Sequence, residues 1–188
     1  MNLKYLLVVL FVGLVSCNTA TKLSKEAQIE YIAKGKEITQ KSFKLLSGNL
    51  MKQMKQGGPV QAIPFCNVKA IPLTDEIAKQ EYVSIKRVSK RFRNEINKPS
   101  SIELGVIEDY KVALENGEML SPVLLSQPTG KPQFYAPILI NSKCLVCHGT
   151  VGVEVSKATD SLIKSLYPKD LATGYKVGDL RGIWSVQF

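Results

Sequence analysis

Gln133-Phe134-Tyr135-Ala136-Pro137-Ile138-Leu139-Ile140 is an apolar run rich in aromatic and β-branched residues, and Pro122-Val123-Leu124-Leu125-Ser126-Gln127 is a second such run just upstream. Pro128-Thr129-Gly130-Lys131 separates them, and proline with glycine at that place predicts a turn joining two antiparallel strands. Working outward, residues 82–89 interleave Val and Ile with polar residues, and residues 182–188 close the chain with Ile183, Trp184, Val186 and Phe188, so two more strands are expected. These strands do not alternate strictly with helices. The expected class is therefore α+β, an antiparallel sheet with helices against it, in one domain of residues 25–188.

The helices have their own punctuation. Ser24 can cap a long N-terminal helix on which Ile29, Ile32, Phe43, Leu46, Leu50 and Met54 recur at spacings of threes and fours, with Lys36 and Thr39 interrupting. Gly57-Gly58-Pro59 should stop it, and the stripe should pack on the domain or, as the alternative, on a second copy in a homodimer. Pro64 makes residues 59–66 read as an interrupted helical turn, and Thr74-Asp75-Glu76 as the start of another brief helix. Ser100-Ser101-Ile102-Glu103 is a capping box opening a helix that ends at Asn116-Gly117, with Ile102, Val106, Tyr110 and Leu114 on one face. A further helix is expected over residues 159–166.

The hairpin leads into Cys144-Leu145-Val146-Cys147-His148, the spacing at which two thiols add to the vinyl groups of one haem while the following histidine ligates its iron. His148 is the single histidine of 188 residues, so bis-histidine ligation within the chain is excluded. A structural zinc site wants four Cys or His ligands, and a thioredoxin-like pair wants a βαβ setting and no following histidine. One covalent haem c on Cys144 and Cys147, with His148 on the iron, is the expectation.

The amino terminus is consistent with haem attachment outside the cytoplasm. Lys4 precedes an eleven-residue, mostly apolar run over residues 5–15, too short for the roughly twenty residues of a membrane-spanning helix and suited to an export signal. Leu14-Val15-Ser16-Cys17 resembles the lipobox of bacterial lipoproteins, which implies cleavage after residue 16 and a lipid anchor on Cys17; a plain signal with a chance cysteine is the alternative. Residues 17–24 would be a tether, and the protein would sit on the periplasmic side of an inner or outer membrane. Removing residues 1–16 takes Lys4 with it and leaves 172 residues at a net charge of +8. For an exported protein that basic balance points to acidic head groups or an acidic redox partner, not to nucleic acid. The densest basic stretch, Lys86-Arg87 with Lys90-Arg91 and Arg93, reads first as a solvated strand face, with haem propionate pairing or a docking patch as alternatives.

Of four cysteines, lipid and thioethers account for three, and Cys66 is left over in an oxidising compartment. Thiolate is a strong haem-iron ligand, while a buried cysteine can also be an inert small hydrophobe. Met51, Met54, Met119, a lysine or an open position are the other candidates opposite His148.

Several stretches together resemble the single-haem c-type domains with a PAS-like fold, found as stand-alone cyanobacterial proteins and as periplasmic sensor parts of bacterial signalling proteins. They are Ala62-Ile63-Pro64-Phe65-Cys66; Arg93-Asn94 with Asn97-Lys98-Pro99; Tyr135-Ala136-Pro137 leading to the haem motif and Gly149; and Tyr167-Pro168 with Gly174-Tyr175 and Gly178-Asp179-Leu180-Arg181-Gly182. The resemblance covers residues 25–188. It implies a PAS-like sheet flanked by helices, haem held at one face, and Cys66 as the second axial ligand. The chain departs from the sensor members in its lipid anchor and in carrying no kinase or methyl-accepting domain.

His/Cys ligation implies a low-potential haem. The function expected first is a redox or gas sensor or binding module, exchanging a ligand such as CO or NO and signalling to a partner protein; a membrane-tethered electron carrier is the alternative. Ordinary class I carriers place the motif near the amino terminus with a methionine downstream, and no methionine follows His148 here. An enzyme is not expected, because no second histidine can serve as a distal acid/base.

Overall fold

The computed structural model describes residues 23–126 and 131–188. The expected export signal, the expected lipid site Cys17, most of the expected tether and residues 127–130 lie outside these residues. Helix α1 (Lys25–Glu81) is followed by β1 (Ser84–Val88), α2 (Ser101–Glu115), β2 (Val123–Ser126), β3 (Pro132–Leu139), the single turn α3 (Leu145–His148), α4 (Lys157–Leu166) and β4 (Leu180–Gln187). The four strands form one antiparallel sheet in the order β1-β4-β3-β2. The α+β class, the hairpin and the C-terminal strand are as expected from the sequence.

The Ser24 side chain accepts from the Ala27 amide and caps α1. Gly57 and Gly58 leave helical geometry, with Gly58 at φ 65°, and divide α1 into two arms. The second arm corrects two expectations: residues 59–66 are not a broken turn, and Thr74 starts no new helix. Helix continues through Pro64 and Pro72 to Glu81. Each proline removes one amide donor to the carbonyl four residues back, at Val60 and Val68, and both of these residues are exposed, so water can take the donor's place. Thr74 is buried within this arm and donates its hydroxyl to the Ala70 carbonyl.

The burial of the first arm is also displaced from the predicted stripe. Gly35, Ile38, Thr39 and Ser42 are buried, while Ile29, Phe43 and Met51 are exposed. The missing side chain at Gly35 lets the helix lie directly on Phe134, because a Cβ there would come within 2.4 Å of the Phe134 ring. Ile38 and Ile77 from the two arms, Ile85 of β1, Phe134 of β3, and Trp184 and Val186 of β4 make the core on this face of the sheet. Strand alternation sends Val88, Tyr135 and Ile183 to the other face, where they meet Val106, Ile107 and Tyr110 of α2. The capping box of α2 is formed, with Ser100 and Glu103 bonded reciprocally. Ile102 is not on its buried face but exposed, and Glu103 takes its place. A third cluster joins Ile63 of the second arm to Val155 and to Ile163 of α4, and with it fixes the part of the arm that carries Cys66.

Candidate functional site

Strand β3 ends at Leu139, and Ile140 anchors the following turn by donating its amide to the Asp179 carbonyl. Asn141 then caps a short 3-10 turn over Ser142–Cys144 by accepting from the Lys143 amide, and α3 carries Cys147 and His148. Cys144, Cys147 and His148 are all half-buried. The segment 170–175 is laced to this turn through three bonds. The Gly174 and Tyr175 amides donate to the carbonyls of Gly149 and His148, and Nδ1 of His148 lies 2.7 Å from the Ala172 carbonyl. A carbonyl accepts only, so Nδ1 carries the proton and Nε2 is left with a free lone pair. Burial, with Arg181 and Arg93 nearby, pushes the imidazolium well below the usual histidine range. The ring is neutral at physiological pH, as a metal ligand must be.

Arg93 holds the lacing together. Its guanidinium pairs with Asp170 at 3.1 Å and donates to the carbonyls of Cys147 at 2.7 Å and of Ala172 at 3.2 Å. Asp170 also accepts from the Ala172 amide. Ala172 is thus fixed from both sides, and its carbonyl in turn orients His148. Arg91 donates to the carbonyls of Leu171 and Thr173 and lies 4.1 Å over the Tyr175 ring, which stands edge-on to His148. The solvated-face expectation for this basic stretch holds in part: Lys86, Lys90 and Arg91 are exposed, while Arg87 and Arg93 are half-buried. Lys86 and Lys90 do face water and α2, where they approach Glu103 and Glu108, but Arg91 and Arg93 are structural parts of the site.

Cys66 comes in from the second arm of α1, on the turn that also bears Ile63 and Asn67, whose side chains contact α4 and the Leu166 carbonyl. It is half-buried and, among the described residues, in no disulfide. Burial pushes its thiol up, against the pull of Arg87 and Arg93. Burial likewise raises the Cys147 thiol, with Cys66 and Cys144 adding to the effect. The fold therefore brings Cys66, distant in sequence, into the electrostatic neighbourhood of Cys147. Tyr167, its hydroxyl pushed up to about 12 by burial and then by Cys66, belongs to the same cluster. Met51 is exposed on the first arm and Met119 is almost fully exposed.

The donor set fits haem c better than a bare ion. Cys66, Cys144, Cys147 and His148 share one region, yet among the described residues no three His, Cys, Asp or Glu side chains converge as an ion would require. Two thiols on one helical turn, a neutral imidazole and a thiol on a separate helix suit a larger group that spans the distances between them. Sequence reasoning missed Asp170, Ala172 and Tyr175 as site residues; the Gly174-Tyr175 stretch was the available signal.

Comparison with known proteins bears on the fold and the family. The Tll0287-like family model matches residues 18–188. The crystal structure of the cyanobacterial heme-protein Tll0287 superimposes with a TM-score of 0.65 over 85% of this chain and 94% of that one, at 20% sequence identity. No curated protein matches. At that identity the structural likeness establishes the fold, while the family match extends over nearly the whole chain: the chain belongs to the Tll0287-like family.

Proposed function

We propose that this is an exported, lipid-anchored protein carrying a single haem c on Cys144 and Cys147, with His148 and Cys66 as axial ligands, and that it acts as a redox or gas-sensing module. The observation that carries the reading is the state of His148: part of a C-x-x-C-H turn, protonated at Nδ1 by its bond to Ala172, and neutral with Nε2 free. Haem binding is further supported by the structural likeness to a cyanobacterial heme-protein. Haem would supply an iron whose ferrous form takes CO or NO when a position is open. His148, tied to its own turn and to Ala172, is the fixed side. Cys66, on a different helix and held only by that helix's packing, is the exchangeable side, and its movement would be passed to α1 and α4 and so to a partner protein.

The half-exposed setting of residues 144–148 also suits a tethered electron carrier, since a group held there would have an edge near solvent. Reduction under CO separates the two. The sensor reading expects the reduced wild-type protein to bind CO, whereas a reduced haem that refuses CO would favour the carrier. For the anchor, metabolic labelling with a fatty acid should tag the wild type and spare Cys17→Ser; a soluble, unlabelled wild type would mean a plain signal peptide.

A further inference from the structure

Two arginines of the site have no acidic partner. Arg93 is neutralised by Asp170, and Arg91 is spent on backbone carbonyls and the Tyr175 ring. Arg87 and Arg181 are half-buried as well, yet among the described residues neither has a carboxylate within ion-pair distance. The Arg87 side chain makes no hydrogen bond there; its guanidinium only lies over the Trp184 ring, 5.6 Å from the centroid. Arg181 makes one, from Nη1 to the Arg91 carbonyl, and approaches the Tyr175 ring at 5.5 Å. A guanidinium has five N–H donors and is charged at any physiological pH, so two sheltered ones without anions ask for an anionic ligand.

The sheet places both deliberately. Arg87 lies opposite Trp184 in the β1–β4 register, on the sheet face that α1 covers. Simple alternation along β4 would put Arg181 on the opposite face with Ile183, but the ladder slips here. Ile138 pairs with Gly182 and Leu139 with Leu180, so Arg181 is the extra, unpaired residue of a β-bulge. Leu180 and Ile183, three apart, accordingly pack in the same cluster. Gly182 permits the bulge: its φ is 157°, and a Cβ there would stand 2.3 Å from the Val88 carbonyl oxygen. The bulge turns Arg181 towards Tyr175 and His148, and Arg181 disfavours the charged forms of both Arg87 and His148, while Arg87 favours the charged form of the Cys66 thiol.

We propose that Arg87 and Arg181 form a receptor for a pair of carboxylates, namely the two propionates of the haem. This rests on the haem reading above. The chemistry is non-covalent: two carboxylates accept charge-assisted hydrogen bonds from two guanidinium groups, and the neutralisation of their negative charge near the iron favours the reduced state.

The test uses the full-length holoprotein, with covalent haem first verified by mass, and compares Arg87→Gln, Arg181→Gln, the corresponding Lys variants and the exposed control Lys111→Gln. Both Gln variants should shift the propionate bending bands of the resonance Raman spectrum and move the reduction potential to lower values. The Lys variants, which keep the charge and the packed stem, should shift the bands while holding the potential nearer wild type, and they serve if a Gln variant does not fold. Lys111→Gln should change neither. Haem-loaded Arg variants with unaltered propionate bands would overturn the proposal, as would a change confined to the thiolate spectrum, since the arginines would then serve Cys66. A wild type without covalent haem is a different result, which removes the haem reading and this one with it.

Discussion

Cys66→Ala is expected to keep its haem covalently attached while losing the electron paramagnetic resonance pattern of thiolate ligation in the ferric state. The thioethers come from Cys144 and Cys147, so the attachment does not depend on Cys66. A thiolate places negative charge on the iron and stabilises the ferric form, and removing it should raise the reduction potential by on the order of 0.1 V or more, within the roughly 0.8 V that axial ligands command. CO should then bind the reduced variant without competition. The nearness of Cys66 to Cys147 supports this assignment, as do Arg87 and Arg93, which favour its thiolate against the opposing effect of burial; Met119, almost fully exposed, is poorly placed to compete. An unchanged ferric spectrum in Cys66→Ala would reject Cys66 as the ligand and turn the assignment to another methionine, a lysine or an open site.

Arg93→Gln should be the costliest single substitution at the site. The Arg93 and Asp170 side chains are only 14% and 5% exposed, so deleting the cation strands a carboxylate out of water. Breaking a buried pair from one side costs about 3–5 kcal/mol, and the carbonyls of Cys147 and Ala172 lose a donor in the same step. Urea unfolding of the holoprotein should show a lowered midpoint, with Arg93→Gln/Asp170→Asn recovering part of the loss through coupling of the pair. There is a functional side effect. Freed of Arg93, the Ala172 carbonyl becomes a better acceptor for His148 Nδ1, which makes the imidazole a stronger donor and should lower the potential. A cost under about 1 kcal/mol would place this pair among ordinary surface ion pairs.

What could be read from the sequence were the features written in local spacing. The hairpin of β2 and β3, the Ser100–Glu103 capping box, the stop at Gly57-Gly58 and the C-x-x-C-H turn each depend on residues a few positions apart. The buried face of α1 was misjudged because small residues define it: Gly35, Thr39 and Ser42 carry little hydrophobic signal, yet Gly35 is what Phe134 requires. Pro64 reads as an interruption because propensity ignores that the carbonyl it orphans lies at an exposed residue, Val60. The Arg93–Asp170 pair spans 77 residues, and the turning of Arg181 depends on a one-residue slip against β3. Neither leaves a local trace. For Cys66 the sequence supplied a leftover thiol, the family resemblance supplied a role, and the packing of α1 on α4 supplies the neighbourhood.

The central claim is covalent haem on Cys144 and Cys147, and intact-mass spectrometry tests it most directly. Full-length protein made in cells with a working cytochrome c assembly system should carry the mass of one haem through denaturation and acid-acetone extraction, and Cys144→Ala/Cys147→Ala should carry none. A wild-type polypeptide with no added mass, or a double variant that still retains covalent haem, would contradict the account.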